Sequence, residues 1–175
     1  MDFAILDRAM EVIDLRSFSN LWYWIVLAVL WSGLSHYCVG VPYDMVTLAK
    51  RGNEQAARDM RILAEVNANR LLALVEASGV PATAFTAFML TGLATYGFFF
   101  GNEFCQALFL LLAPLVLVGA WSLRTARVLR DSDFENLPQK LRIHRVGVQM
   151  MGVVFIFVTA LWGMAVNIRV DPLAI

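Results

Sequence analysis

Apolar residues gather into four long stretches that contain no Asp, Glu, Lys or Arg, and the charged residues gather between them. The stretches run from Ser17 to Tyr43 (27 residues), Ala77 to Asn102 (26), Phe104 to Leu123 (20) and Val146 to Ile168 (23). A helix needs roughly 20 mostly apolar residues, at about 1.5 Å each, to cross a hydrocarbon core of roughly 30 Å. Trimming the polar ends leaves four predicted transmembrane helices, at about 21–41, 80–100, 104–123 and 147–166. A core helix of a water-soluble domain keeps a charged face toward solvent, and none of these four has one. The predicted fold class is all-α: a single membrane domain, 1–175, built as a polytopic four-transmembrane-helix bundle.

The segments between the spans carry a different pattern. In residues 1–18, Phe3, Leu6, Met10 and Ile13 recur at helical spacing while Asp7, Glu11 and Asp14 hold another face, which predicts a helix lying along the membrane interface. Its charges, with Asp2, Arg8 and Arg16, are unlike the short basic region of a cleaved signal. From Glu54 to Glu76, Ala57, Met60, Ala64, Ala68, Leu71 and Val75 share one face, and Glu54 with Arg58 and Arg61 with Glu65 stand at i,i+4. Asp131 to Gln139 reads as a loop, with Pro138 in the first turn of a new helix. Gly101, Asn102 and Glu103 predict a tight hairpin that makes the second and third spans antiparallel neighbours. The segments 44–79 and 124–145 are therefore expected to be helical extensions that pack into a small cap.

Composition removes several classes of function. The chain is 59% hydrophobic and 16% charged, where soluble domains carry about 45–50% and about 25%. Disorder is excluded by the same balance. Fourteen basic residues against fourteen acidic ones give zero net charge, without the basic excess that nucleic-acid binding uses. Eleven of the fourteen basic residues fall in the two long connections, and the positive-inside rule assigns these to the cytoplasm. The expectation is a multi-pass protein of a bacterial inner membrane with both termini periplasmic. Trp22, Tyr23 and Trp24 would then lie at the outer interface and Trp121 near the inner one.

Helices in lipid associate through small residues and interhelical hydrogen bonds. On a helical wheel Thr83, Ala84, Ala87, Thr91, Ala94, Thr95 and Gly101 form one arc of the second span, opposite Phe85, Phe88, Met89, Tyr96, Phe99 and Phe100. The small arc is expected inside, and the aromatic arc against lipid or a partner protein. Gly97 and Gly101 form a GxxxG pair at its edge. Comparable seams are Gln106, Ala113 and Ala120 in the third span, Gln149, Gly152, Thr159, Ala160, Gly163 and Asn167 in the fourth, and Ala28, Ser32 and Ser35 in the first. Pro114 removes one backbone donor from the third span and is expected to bend it.

Candidate chemistry is sparse. His36 is the one ionisable residue inside a span, and His144 lies just outside the same membrane face; paired imidazoles would suit a b-type haem, although a hydrogen-bonded neutral histidine is the commoner outcome. Cys38 and Cys105 fall near opposite faces, too far apart for a disulfide, and read as packing thiols. No catalytic residues or metal ligands are assigned, because GxSxG, HExxH, P-loop and paired intramembrane carboxylates are all missing from the sequence. The expectation is a protein that is not an enzyme. Arg124, Arg127, Arg130, Arg142 and Arg145 at the inner face are candidates for anionic lipid contact.

The stretch Arg16-Ser17-Phe18-Ser19-Asn20-Leu21-Trp22-Tyr23-Trp24, with Val41-Pro42-Tyr43-Asp44 and Trp162-Gly163-Met164, resembles a family of four-helix inner-membrane proteins from alphaproteobacteria. Members of that family sometimes carry an automatic label as a component of the Suf iron-sulfur assembly complex. The resemblance implies the four-helix membrane fold and no activity; two separated cysteines do not supply the four thiolates a cluster ordinarily takes. The reading that results is a non-enzymatic accessory or scaffold subunit, with membrane lipids and other membrane-protein subunits as partners and Phe85, Phe88, Tyr96 and Phe99 as the contact face. The alternatives are a redox subunit holding haem b through His36 and His144, and a small transporter.

Overall fold

The structure, a computed structural model, describes residues 17–170, with side chains for 18–168. The interfacial helix predicted for 1–18 therefore lies almost entirely outside the described residues. A 3-10 turn, Ser17–Ser19, leads into α1, Leu21–His36, whose first turn is capped where the Asn20 side chain accepts from the Trp22 N–H. A small antiparallel hairpin follows, β1 (Tyr37–Cys38) and β2 (Val41–Pro42), with Tyr37 opposite Pro42 and Cys38 opposite Val41. Then come α2, Tyr43–Lys50, and α3, Glu54–Ala94, which continues through a π-helical turn at Thr95–Phe99. Two long helices complete the described residues, α4 (Glu103–Asp131) and α5 (Leu137–Val170).

Three of these helices, α3 with its π turn, α4 and α5, are long and apolar enough to cross a membrane. The first predicted span is shorter than its apolar run. α1 stops at His36 after 16 residues, about 24 Å of helix, and 37–41 enter the hairpin instead. The reason is local. Val39 and Gly40 both take positive φ, 51° and 74°, which the helix cannot accommodate but a two-residue hairpin turn requires. Asn67 of α3 donates its Nδ2 to the Gly40 carbonyl at 3.2 Å, and with φ at 74° and a would-be Cβ 2.7 Å from that nitrogen the position favours glycine.

α1 nevertheless runs from one end of the bundle to the other. Phe18 packs on Gly163 and Trp31 on Gly152, so α1 lies antiparallel to α5. At one end the Phe18 N–H donates to Glu103 Oε1 and Ser19 Oγ to Asn167 Oδ1, both at 2.8 Å, tying the start of α1 to the start of α4 and the end of α5. At the opposite end the hairpin, α2, the first half of α3, the end of α4 and the start of α5 come together as the cap. The two arginine-rich connections thus meet each other, away from the described ends of the chain.

The largest core sits in this cap rather than between the apolar spans. Val41, Val46, Met60, Ala64, Ala68, Leu72, Ala126, Leu129, Leu137 and Leu141 are buried in one cluster, wedged at the connection by Phe134. Of the predicted face of the 54–76 helix, Met60, Ala64 and Ala68 are buried, with Ala57, Leu71 and Val75 at its half-buried margin. Two smaller clusters, around Leu27, Trp31, Val118 and Val148 and around Phe18, Ala107 and Leu110, hold the apolar bundle. The distribution has a physical cause: burying apolar surface from water contributes about 25 cal/mol per Å², whereas exchanging lipid for protein contributes almost nothing of that kind.

The seam predicted for the second span is not buried within the chain. Thr83, Ala84, Ala87, Thr91, Thr95 and Gly101 are exposed, as are the aromatic residues opposite them. The less exposed positions are Thr86, Leu90, Leu93 and Gly97, at the edge of the small arc, with Ala94 the one member of that arc that is half-buried. A wheel ranks faces by size, but only the strip turned toward a neighbouring helix is buried. In α5 the prediction succeeds in part: Gly152, Thr159 and Gly163 are buried, the two glycines seating Trp31 and Phe18, while Gln149 is exposed. Ala120, Ala28 and Ser32 are exposed as well. Pro114 is buried within an α4 that runs unbroken from Glu103 to Asp131.

Candidate functional site

The hairpin between α3 and α4 is built by one glycine and one amide. Gly101, at φ 74°, reverses the chain, and the Asn102 side chain accepts from the Cys105 N–H at 3.0 Å to cap α4. A Cβ on Gly97 would lie 2.8 Å from the backbone nitrogen of Gln106, so only glycine allows the two helices this approach. Gln106 is buried and donates Nε2 to the Gly97 carbonyl at 2.8 Å, while its Oε1 accepts from the Trp162 indole at 2.9 Å. One side chain thereby joins α3, α4 and α5. Leaving a buried donor or acceptor unpaired costs about 1–3 kcal/mol, which explains an amide in so apolar a setting.

That hairpin holds out the aromatic face. Phe85, Phe88, Tyr96 and Phe99 are 64, 70, 54 and 85% exposed. Only 6% of the most apolar eighteen-residue window of the α3 rod is buried, against 28% for α4. Beside this face a shallow groove of about 340 Å³ runs between α3 and α4, lined by Phe85, Thr86, Met89, Leu90, Leu112, Leu115 and Val116. It offers shape and apolar surface, and no ionisable group.

The two histidines have different surroundings. His36 ends α1 exposed, its ring edge-on to Tyr37 at 4.9 Å. His144 is 2% exposed, with Nδ1 3.0 Å from Thr125 Oγ1. Thr125 spends its own hydroxyl proton on the Trp121 carbonyl, so it accepts from Nδ1–H and leaves Nε2 unprotonated. Burial pushes the His144 pKa down to about 4. Two cavities, of about 260 and 230 Å³, flank His144; Tyr37 lines the first, and His36 lines neither. The sequence pairs these imidazoles by depth, whereas the fold gives each its own partner.

The arginines divide by partner. Arg130 pairs with Glu76 at 3.5 Å, Arg145 lies 3.7 Å above the Tyr43 ring, and Arg124 stands 5.9 Å from the Trp121 ring centre. Arg127 and Arg142 are exposed. Arg58 keeps its predicted partner Glu54 at 3.4 Å, but Arg61 reaches Asp133 at 3.5 Å instead of Glu65, because the connection after α4 folds back onto α3. Cys38 is buried in the cap core and Cys105 half-buried at the opposite end of the bundle, both as free thiols. Among the described residues no three His, Cys, Asp or Glu side chains converge.

Neither Thr125 as the partner of His144 nor Trp162 as the partner of Gln106 is legible in the sequence. A lone glutamine in an apolar run signals that some partner exists, though not which one. No protein-family model, curated protein or solved structure matches this chain.

Proposed function

We propose that this chain is a non-enzymatic accessory subunit of a larger complex in a bacterial inner membrane, threading the bilayer four times with both termini periplasmic and the cap in the cytoplasm. The observation that carries the reading is the outer half of α3, a membrane-length stretch that packs chiefly on α4, touches α5 through Phe98 on Trp162, and leaves Phe85, Phe88, Tyr96 and Phe99 all exposed. Aromatic side chains supply large contact area at low entropic cost and dominate the binding energy of protein interfaces. The cap supports the orientation, since it gathers eleven of the fourteen basic residues. α1 supports four passes, because it parallels the full apolar length of α5 despite its short helix.

Extraction of the tagged chain at native expression in a gentle detergent is expected to recover membrane-protein partners in stoichiometric amounts. The double substitution Phe88→Ala/Phe99→Ala is expected to reduce that recovery about tenfold or more. A lone monomer from the wild-type chain would contradict the proposal.

A further inference from the structure

We propose that the groove between α4 and α5 at the cap boundary binds the phosphate headgroup of an anionic phospholipid. The inference rests on the chain being embedded in a membrane and is independent of its having a protein partner. Trp121, Arg124, Thr125 and Val128 line the groove from α4, at i, i+3, i+4 and i+7, and Lys140, Ile143 and His144 line it from α5, at i, i+3 and i+4. One continuous stripe of each helix therefore faces the other across a cavity of about 230 Å³.

The lining carries two cations and no carboxylate. Arg124 and Lys140 take part in none of the ion pairs among the described residues; these use Arg58, Arg61 and Arg130. Arg124 lies over the Trp121 indole, and Lys140 Nζ is anchored by Ser132 Oγ, so both charges are held at the groove by neutral neighbours. His144 is neutral at physiological pH and its Nδ1 is engaged by Thr125, so it forms wall and adds no charge. Two fixed positive charges with no internal counter-charge suit an anion.

Depth selects which anion. Arg124 is the first charged residue after the apolar run of α4, and Lys140 precedes the apolar run of α5 by six residues. The cavity is thus placed where lipid headgroups lie, and basic pockets between membrane helices on the cytoplasmic side recognise such headgroups. Trp121, Val128 and Ile143 supply an apolar floor from which a free phosphate gains nothing but against which the glycerol and first methylenes of a lipid pack. The volume is several times the roughly 30 Å³ of a water molecule, enough for a headgroup, with the acyl chains left to run along the exposed Val146, Met150 and Val153 of α5.

The test is native mass spectrometry of the full purified chain, titrated with phosphatidylglycerol or with phosphatidylcholine of the same acyl chains, and with inorganic phosphate as a competitor. The wild type is expected to prefer phosphatidylglycerol about tenfold or more. Arg124→Gln/Lys140→Gln is expected to abolish that preference, and the charge-conserving Arg124→Lys/Lys140→Arg to keep most of it. Lys50→Gln/Arg51→Gln, an equal loss of charge on exposed residues at the end of α2, is expected to change it less than about twofold. Equal affinity for the two lipids in the wild type would overturn the proposal, as would a preference that survives Arg124→Gln/Lys140→Gln or is lost equally in the α2 variant. Displacement of bound lipid by millimolar inorganic phosphate would also overturn it, identifying a free-anion site.

Discussion

Leu141→Ala is expected to destabilise the protein by about 2–5 kcal/mol, while Phe88→Ala is expected to cost under about 0.5 kcal/mol. Both substitutions delete a large apolar side chain, and only their surroundings differ. Leu141 has no exposed surface and belongs to the cap cluster with Met60, Ala64, Leu129 and Leu137, so its loss removes transfer free energy and leaves a cavity. Phe88 is 70% exposed on the apolar half of α3, where in detergent or lipid the deleted atoms exchange one apolar environment for another. Unfolding of the detergent-solubilised protein in an SDS titration, followed by tryptophan fluorescence, measures both. Equal costs would mean that the cap is not the part of the molecule that water drives together.

The second large effect is acid sensitivity of the same region. His144 is depressed to about 4 in the folded protein, against about 6.5 when unfolded. Above pH 6.5 the imidazole is neutral in both states and the full stability is present. As the pH falls from 6.5 toward 4, the unfolded chain takes up a proton that the folded chain refuses, so stability is lost, by about 3 kcal/mol at the lower end. Carboxylates titrate in part of that window, so the quantity to measure is the difference between the wild type and His144→Asn. The wild type is expected to lose about 3 kcal/mol more than the variant between pH 7 and pH 4. Parallel curves would show that His144 is not held neutral by its burial.

Much of the architecture is legible in the sequence, for reasons that also mark where legibility ends. Charge-free runs place α4, α5 and the outer half of α3, since charge is costly in hydrocarbon wherever the helix happens to pack. The 54–76 helix shows its inward face because water opposes that face, and Met60, Ala64 and Ala68 are indeed buried. Inside the bilayer the same logic loses its contrast. Thr83, Ala84 and Ala87 resemble a seam, yet nothing in their pattern says which neighbours the outer half of α3 acquires, and in the fold these three residues are exposed. The end of α1 was hidden for another reason: Tyr37, Cys38, Val39 and Val41 are as apolar as the helix before them, and their β geometry is fixed by Asn67, distant in sequence.

The candidate surfaces follow the same division. Phe85, Phe88, Tyr96 and Phe99 are a visible stripe in the sequence, and all four are exposed. Arg124 is visible in the sequence as one of several arginines beside the apolar runs, but Lys140 stands out only when α5 folds back beside α4. His144 looks like a surface residue between Arg142 and Arg145, and only the fold turns it inward to Thr125.

The most direct test of the account is the side of the membrane on which its two ends lie. Single cysteines at Ser19 and Phe100, at the hairpin end of the bundle, and at Gln139, in the cap, are placed in a Cys105→Ser background that retains the buried Cys38. A membrane-impermeant maleimide is then applied to cells with permeabilised outer membranes and intact inner membranes. Labelling is expected at Ser19→Cys and Phe100→Cys, and at Gln139→Cys only after the inner membrane is broken. Labelling of Gln139→Cys in intact spheroplasts, or protection of Ser19→Cys, would contradict it.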